Sequence, residues 1–102
     1  MIRVVAIITC KPGRGDEVLA AFREIIPAVH AEMGCIEYGP TVDAEGFGAS
    51  QAKMGPDAYV VIETWESADA LKAHAVAPHM AAFGAKTKDL IAARAVHVLS
   101  PA

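Results

Sequence analysis

The sequence has no asparagine, two cysteines and one tryptophan among its 102 residues. The first absence excludes N-linked glycosylation. Cys10 and Cys35 have no CxxC spacing and make no disulfide framework, so they read as reduced, buried thiols of a cytoplasmic protein. No apolar stretch reaches the ~18 residues of a membrane span. The segment from Met1 to Ile8 lacks the long apolar core of a signal peptide. There is no run of like charge, and the net charge of −3 argues against a nucleic-acid partner. GxGxxG, GxxxxGK[ST] and GxSxG are all missing. Neither a nucleotide or flavin site nor a serine nucleophile elbow is therefore expected.

What is present is apolar. Residues of that class make up 54% of the chain, more than one small core readily hides, which points to self-association. The length fits a single domain over 1–102. Arg3 to Cys10 is a β-branched run and reads as a strand. Asp16 is placed to cap a helix in which Val18, Phe22, Ile25, Val29 and Met33 recur at helical spacing, with Pro27 kinking it and Gly34 ending it. A second strand covers Cys35 to Val42. A glycine-bearing loop from Asp43 to Asp57 follows, longer than a usual hairpin connection. A third strand spans Ala58 to Glu66. Ser67 caps a short helix, Pro78 opens another that carries Met80, Phe83, Leu90 and Ile91, and Ala95 to Leu99 closes the chain as a strand.

The order β-α-β-β-α-β, with its second helix broken in two, is an α+β, ferredoxin-like arrangement. In the third strand Val60, Ile62 and Thr64 alternate with Tyr59, Val61, Glu63 and Trp65. The first strand is apolar on both sides. Helices can cover only one face of such a sheet, so a second copy of the chain is expected on the other.

Chemistry concentrates between Tyr59 and Phe83. His79 follows Pro78 at a helix N-terminus, where the dipole favours a neutral imidazole able to act as general base. It reads equally as a solvated capping residue. His74 reads as a pocket residue or as a core histidine bonded to a backbone carbonyl. Their i, i+5 spacing, broken by Pro78, differs from the i, i+4 of HExxH, and no third ligand is indicated, so no metal is expected. Trp65, Tyr38, Tyr59 and Phe83 are candidate walls for an aromatic ligand. Glu63, in an apolar strand, needs a partner such as Arg3 or Arg94. His30 and His97 read as surface or structural residues.

Lys11-Pro12-Gly13 before a long helix, Glu32-Met33-Gly34-Cys35-Ile36-Glu37-Tyr38, and Glu63-Thr64-Trp65-Glu66-Ser67 followed by Ala73-His74 and Pro78-His79-Met80 together resemble the antibiotic-biosynthesis monooxygenase family, in its quinol-monooxygenase-like branch. The resemblance implies a ferredoxin-like protomer pairing into a dimeric α/β barrel. It implies oxidation of a small electron-rich aromatic, a quinol or phenol, by O2 without metal or flavin. His79 would then be the base, and His74, Trp65, Tyr38, Tyr59 and Phe83 the substrate site. The haem-degrading branch uses a first-strand asparagine that this chain does not have. The alternatives are a non-enzymatic small-molecule-binding or stress-related module, or an isomerase of a small carbonyl compound. A histidine pointing into a closed apolar pocket would favour the enzyme.

Overall fold

A computed structural model describes all residues from Met1 to Ala102. Four strands form one antiparallel sheet: β1 (Ile2–Cys10), β2 (Cys35–Thr41), β3 (Ala58–Trp65) and β4 (Ile91–Leu99), in the order β2-β3-β1-β4. Three helices, α1 (Gly15–His30), α2 (Ala68–Ala75) and α3 (Pro78–Thr87), complete the ferredoxin-like fold read from the sequence. No helix is long and apolar enough to cross a membrane.

The alternation in β1 decides which face the helices cover. Val4, Ala6, Ile8 and Cys10 are buried and meet Val18, Phe22, Ile25 and Val29 of α1 in one core. Both cysteines are free, Cys10 buried and Cys35 half-buried. On the far face, Val5 and Ile7 of β1 pair with Ile62 and Val60 of β3, and all four remain half-buried. The split between Val60, Ile62 and Thr64 and their neighbours is as expected from the sequence.

Several boundaries differ from the sequence reading. The residue capping α1 is Arg14, whose side chain makes no capping bond, and Asp16 lies inside the first turn. The helix continues through Pro27 and ends at His30, so Met33 falls outside the apolar stripe and is 91% exposed. The chain turns through Gly34 instead, at φ +84°. Helix α3 stops at Thr87, and β4 begins at Ile91 rather than Ala95. Leu90 and Ile91 therefore belong to the turn and the strand. The cause is pairing: β4 lies along β1 from Arg3↔Leu99 to Cys10↔Ile91, and backbone pairing to a buried strand overrides the weak β-propensity of its alanines.

The loop after β2 is internally tied. The Asp43 carboxylate accepts the N–H of Met54 at 2.9 Å and of Gly55 at 3.0 Å. A single 3-10 turn, Gly48–Ser50, lies within it.

Two outcomes follow from this packing. A Cβ added at Gly34 would lie 2.6 Å from the Ala70 Cβ, at a φ that L-residues rarely adopt. Gly34→Ala is therefore expected to cost about 2–4 kcal/mol of stability, read as a lowered denaturation midpoint. For the far face, we expect a second copy of the chain to cover Val5, Ile7, Val60 and Ile62. Light scattering at micromolar concentration should then give twice the mass of one chain, falling to that of one chain in Ile62→Lys.

Candidate functional site

Two successive helices and one turn bring three titratable side chains together. Ser67 accepts the N–H of Ala70 and fixes the start of α2, which places His74 in its last turn. The short link through Val76 and Ala77 reverses direction, and Pro78 opens α3 with His79 as its second residue. Glu32 comes from the turn after α1. Its N–H bonds Val29 O, its carbonyl accepts from Cys35 N, and Gly34 O accepts the N–H of Glu66 at 2.8 Å. That last bond clamps the turn against the end of β3.

The result is one carboxylate oxygen shared by two imidazoles. Glu32 Oε2 is 2.8 Å from His74 Nδ1 and 2.8 Å from His79 Nε2. A carboxylate only accepts, so both ring nitrogens carry the proton. His74 is left with Nε2 as its free nitrogen, and His79 with Nδ1. His74 is buried, with a side chain 7% exposed, while that of His79 is 25% exposed. The three donor atoms lie within 4.8 Å of one another and are the groups here that could hold a metal ion. Their shortest separations are those of hydrogen bonds. Around a tetrahedral zinc with bonds of about 2.0–2.1 Å, neighbouring ligand atoms lie about 3.3 Å apart.

Beyond His74 lies a second carboxylate. Glu63 Oε1 accepts the Trp65 indole N–H at 2.9 Å and lies 4.0 Å from His74 Nε2. The partner of Glu63 is thus Trp65, and neither Arg3 nor Arg94 makes an ion pair with it. Burial pushes the Glu63 carboxyl above its ordinary value, and the Glu32 charge adds to this. The Trp65 bond and His74 act the other way. The Trp65 ring, fully buried, stacks on His74 at 4.6 Å between centroids and an interplanar angle of 37°. The Tyr38 ring flanks the same imidazole at 5.5 Å. Burial, with Glu63 and Glu32 close by, holds the Tyr38 hydroxyl well above its usual value, so it stays a donor.

His74, Glu63 and Tyr38 line one end of a cavity of about 340 Å³ between the sheet and the α2–α3 pair. Most of its wall is apolar: Val4, Ala6, Ile8, Val61, Leu71, Met80 and Phe83 contribute, with Arg94 on the β4 side. Of the site residues expected from the sequence, His74, Tyr38 and Phe83 line this cavity. Trp65 stands behind His74 rather than in the wall. Tyr59 is elsewhere: its hydroxyl donates to Gly15 O at 2.9 Å at the start of α1, and its ring meets Phe22 edge-on. His79 is outside the lining and reaches it only through Glu32 and His74. His30 bonds Tyr38 O at 2.9 Å, a structural role.

Glu32 was the residue the sequence reading missed. It sits in a turn, 42 residues before His74, and no local pattern links the two. Two local signals accompany it: the Glu32-to-Tyr38 stretch that carries the family resemblance, and Gly34, whose left-handed turn sets the course of the chain just after Glu32.

The model of a family described as antibiotic biosynthesis monooxygenase matches residues 1–86. The chain is 39% identical, over 99% of its length and 98% of the other's, to a protein of Escherichia coli described as the probable quinol monooxygenase YgiN. Among solved structures, Rv0793 of Mycobacterium tuberculosis superposes with a TM-score of 0.80 at 26% identity, covering 99% of this chain and 94% of that one. A protein described as an antibiotic biosynthesis monooxygenase superposes at 0.82 with 24% identity, covering 100% and 99%.

The raised Glu63 carboxyl has a consequence for stability. A carboxyl whose folded pKa exceeds its unfolded one binds more protons in the folded state, so stability falls as pH rises through the window above 4.5. Glu63→Gln keeps an acceptor for the Trp65 N–H and removes the buried charge. Its thermal midpoint is expected to equal or exceed that of the parent at pH 7, and to lack the decline with pH above 4.5 expected of the parent.

Proposed function

The chain belongs to the antibiotic biosynthesis monooxygenase family, and on that premise we propose that it oxidises a small electron-rich aromatic, a quinol or phenol, with O2 and without metal or flavin. The observation that carries the proposal is the state of His74. Its Nδ1–H is held by the Glu32 carboxylate, and its opposite nitrogen lies on the side of Glu63 and the cavity. A carboxylate behind an imidazole fixes the tautomer and stabilises the cation that forms when the ring takes a proton. His74 is accordingly assigned the base, and Glu32 its positioning residue. His79, read from the sequence as the base, shares the carboxylate from the solvent side and acts through it.

The reaction follows from the wall chemistry. The phenolic O–H gives its proton to His74 Nε2, leaving an aryl oxide in an apolar cavity. An aryl oxide there is poorly solvated, which raises its tendency to give up an electron. One electron passes to O2, and the aryloxyl and superoxide radicals join at a ring carbon. The peroxide takes a proton back from the imidazolium. Loss of water, with departure of the ring hydrogen, leaves a carbonyl. One oxygen atom ends in the product and the other in water, both electrons for the second atom coming from the substrate. Tyr38, kept protonated by burial and lining the cavity, is assigned the donor to the substrate oxygen or the peroxide. A histidine on the wall of an apolar cavity supports this reading over a purely binding module. The homodimer expected across the far sheet face belongs to the same proposal.

Oxygen uptake with a panel of quinols and naphthols tests the reading. His74→Gln is expected to lower kcat by about 10^2 or more, because an amide cannot take the proton. Glu32→Gln should lower kcat by less, since the imidazole loses its orienting charge but keeps Nε2. His79→Ala should be milder still. A His74→Gln enzyme running near the parental rate would move the base to Glu63 or His79.

A further inference from the structure

We infer that the ligand of the cavity is an aromatic compound bearing an anionic substituent, with Arg94 as its anchor. This rests on the phenol reading above and adds a substrate class to it.

Arg94 lines the cavity and also an adjoining depression of about 290 Å³, which shares Gly84 and Ile91 with it. The two spaces therefore meet at Arg94, Gly84 and Ile91. The depression carries a second cation, Lys88. The ion pairs of the chain engage Arg14, Lys53, Lys86, His74 and His79, and leave Arg94 and Lys88 without a carboxylate. Neither side chain makes a hydrogen bond within the protein. The Thr87 hydroxyl, also at the depression, is already spent on Phe83 O at 2.8 Å. Some opposing charge comes from the last carbonyls of α3, but Lys88 N and Leu90 N take those of Gly84 and Thr87. The two charged side chains at the depression, Arg94 and Lys88, are thus both cationic and unpaired.

Register places the two ends of the site. Val4 lies opposite Glu63 on one side and Val98 on the other, and Arg94 precedes Val98 along β4 by two positions on the same face. That separates the Glu63 and Arg94 backbones by about 10 Å across the sheet and about 13 Å along it. The Arg94 side chain spans part of this diagonal, and its charge is felt at the Tyr38 hydroxyl. A one- or two-ring aromatic fills the rest. With its phenol at His74, a substituent on the far side of the ring meets Arg94. A carboxylate there accepts two parallel N–H bonds from the planar guanidinium. A neutral ligand offers the same cation no charge to pair with, so it gains nothing from Arg94.

Calorimetry under nitrogen, which blocks turnover, reads the anchor directly. The probes are 6-hydroxy-2-naphthoate and the uncharged 2-naphthol. The parent protein is expected to bind the acid at least about tenfold more tightly at low salt. That preference should collapse to within about twofold in Arg94→Met and fall by a smaller factor in Lys88→Gln. Arg94 is exposed on the edge strand β4, so its replacement leaves the core intact, and an unchanged melting temperature verifies this. Equal binding of both probes by the parent overturns the anchor while leaving the phenol reading in place. A preference that survives Arg94→Met also overturns it. Binding of neither probe overturns both readings. Arg94→Met weakening the two probes by the same factor assigns the guanidinium to the phenol oxygen common to both, and sinks the anionic class.

Discussion

One oxygen atom, Glu32 Oε2, ties three separate parts of the fold together. It takes a hydrogen bond from the end of α2 and another from the start of α3, while its own backbone belongs to the turn between α1 and β2. Charge-assisted bonds of this kind are roughly twice as strong as neutral ones. Here they are also the polar fastening of a helix pair whose hydrophobic stripe is thin. α2 buries His74 alone, and α3 buries Thr87 alone. The site and the closure of the fold are thus one arrangement. A change that weakened the cluster chemically would also loosen the roof of the cavity.

The two carboxylates around His74 are held differently, and that difference separates their roles. Glu32 has two imidazole donors. Glu63 has one neutral donor, the Trp65 indole, and a deeper position in the wall. The first takes one hydrogen bond from each of two helices. Burial in the second raises the carboxyl above its ordinary value. The stacked Trp65 ring adds rigidity rather than a contact with ligand, because it holds the imidazole plane from behind.

Periodicity made the sheet and the long helix legible. Val4, Ala6 and Ile8 alternate with Val5 and Ile7, and Val18, Phe22, Ile25 and Val29 recur on one side of α1, so both elements and their buried faces could be read from the chain. The proximity of His74 and His79 could also be read, since a proline between them forces a new helix. What could not be read is what stands opposite them. Glu32 meets the pair through a tertiary turn, and the left-handed φ of Gly34 decides where it points. Tyr59 and Trp65 shared a strand face with Glu63, and alternation alone could not tell core packing from pocket wall. Tyr59 donates to the Gly15 carbonyl at the start of α1, and Trp65 to the Glu63 carboxylate on its own strand. The alanine-rich start of β4 carries little propensity of its own and takes its conformation from β1.

The Asp43 tie has a bearing on how the chain assembles. Its bond to Met54 closes a ring spanning 11 positions. Bringing the ends of a flexible segment together carries an entropic cost that grows only slowly with length. Because the ring is closed by its own carboxylate, part of that cost is offset within the loop, and the strands are joined by a connection effectively shorter than its residue count. Residues could be gained or lost inside the ring with little effect on the pairing of Thr41 with Val60. The segment is the place where this chain can lengthen or shorten while leaving the wall that carries Tyr38 and Glu63 in register.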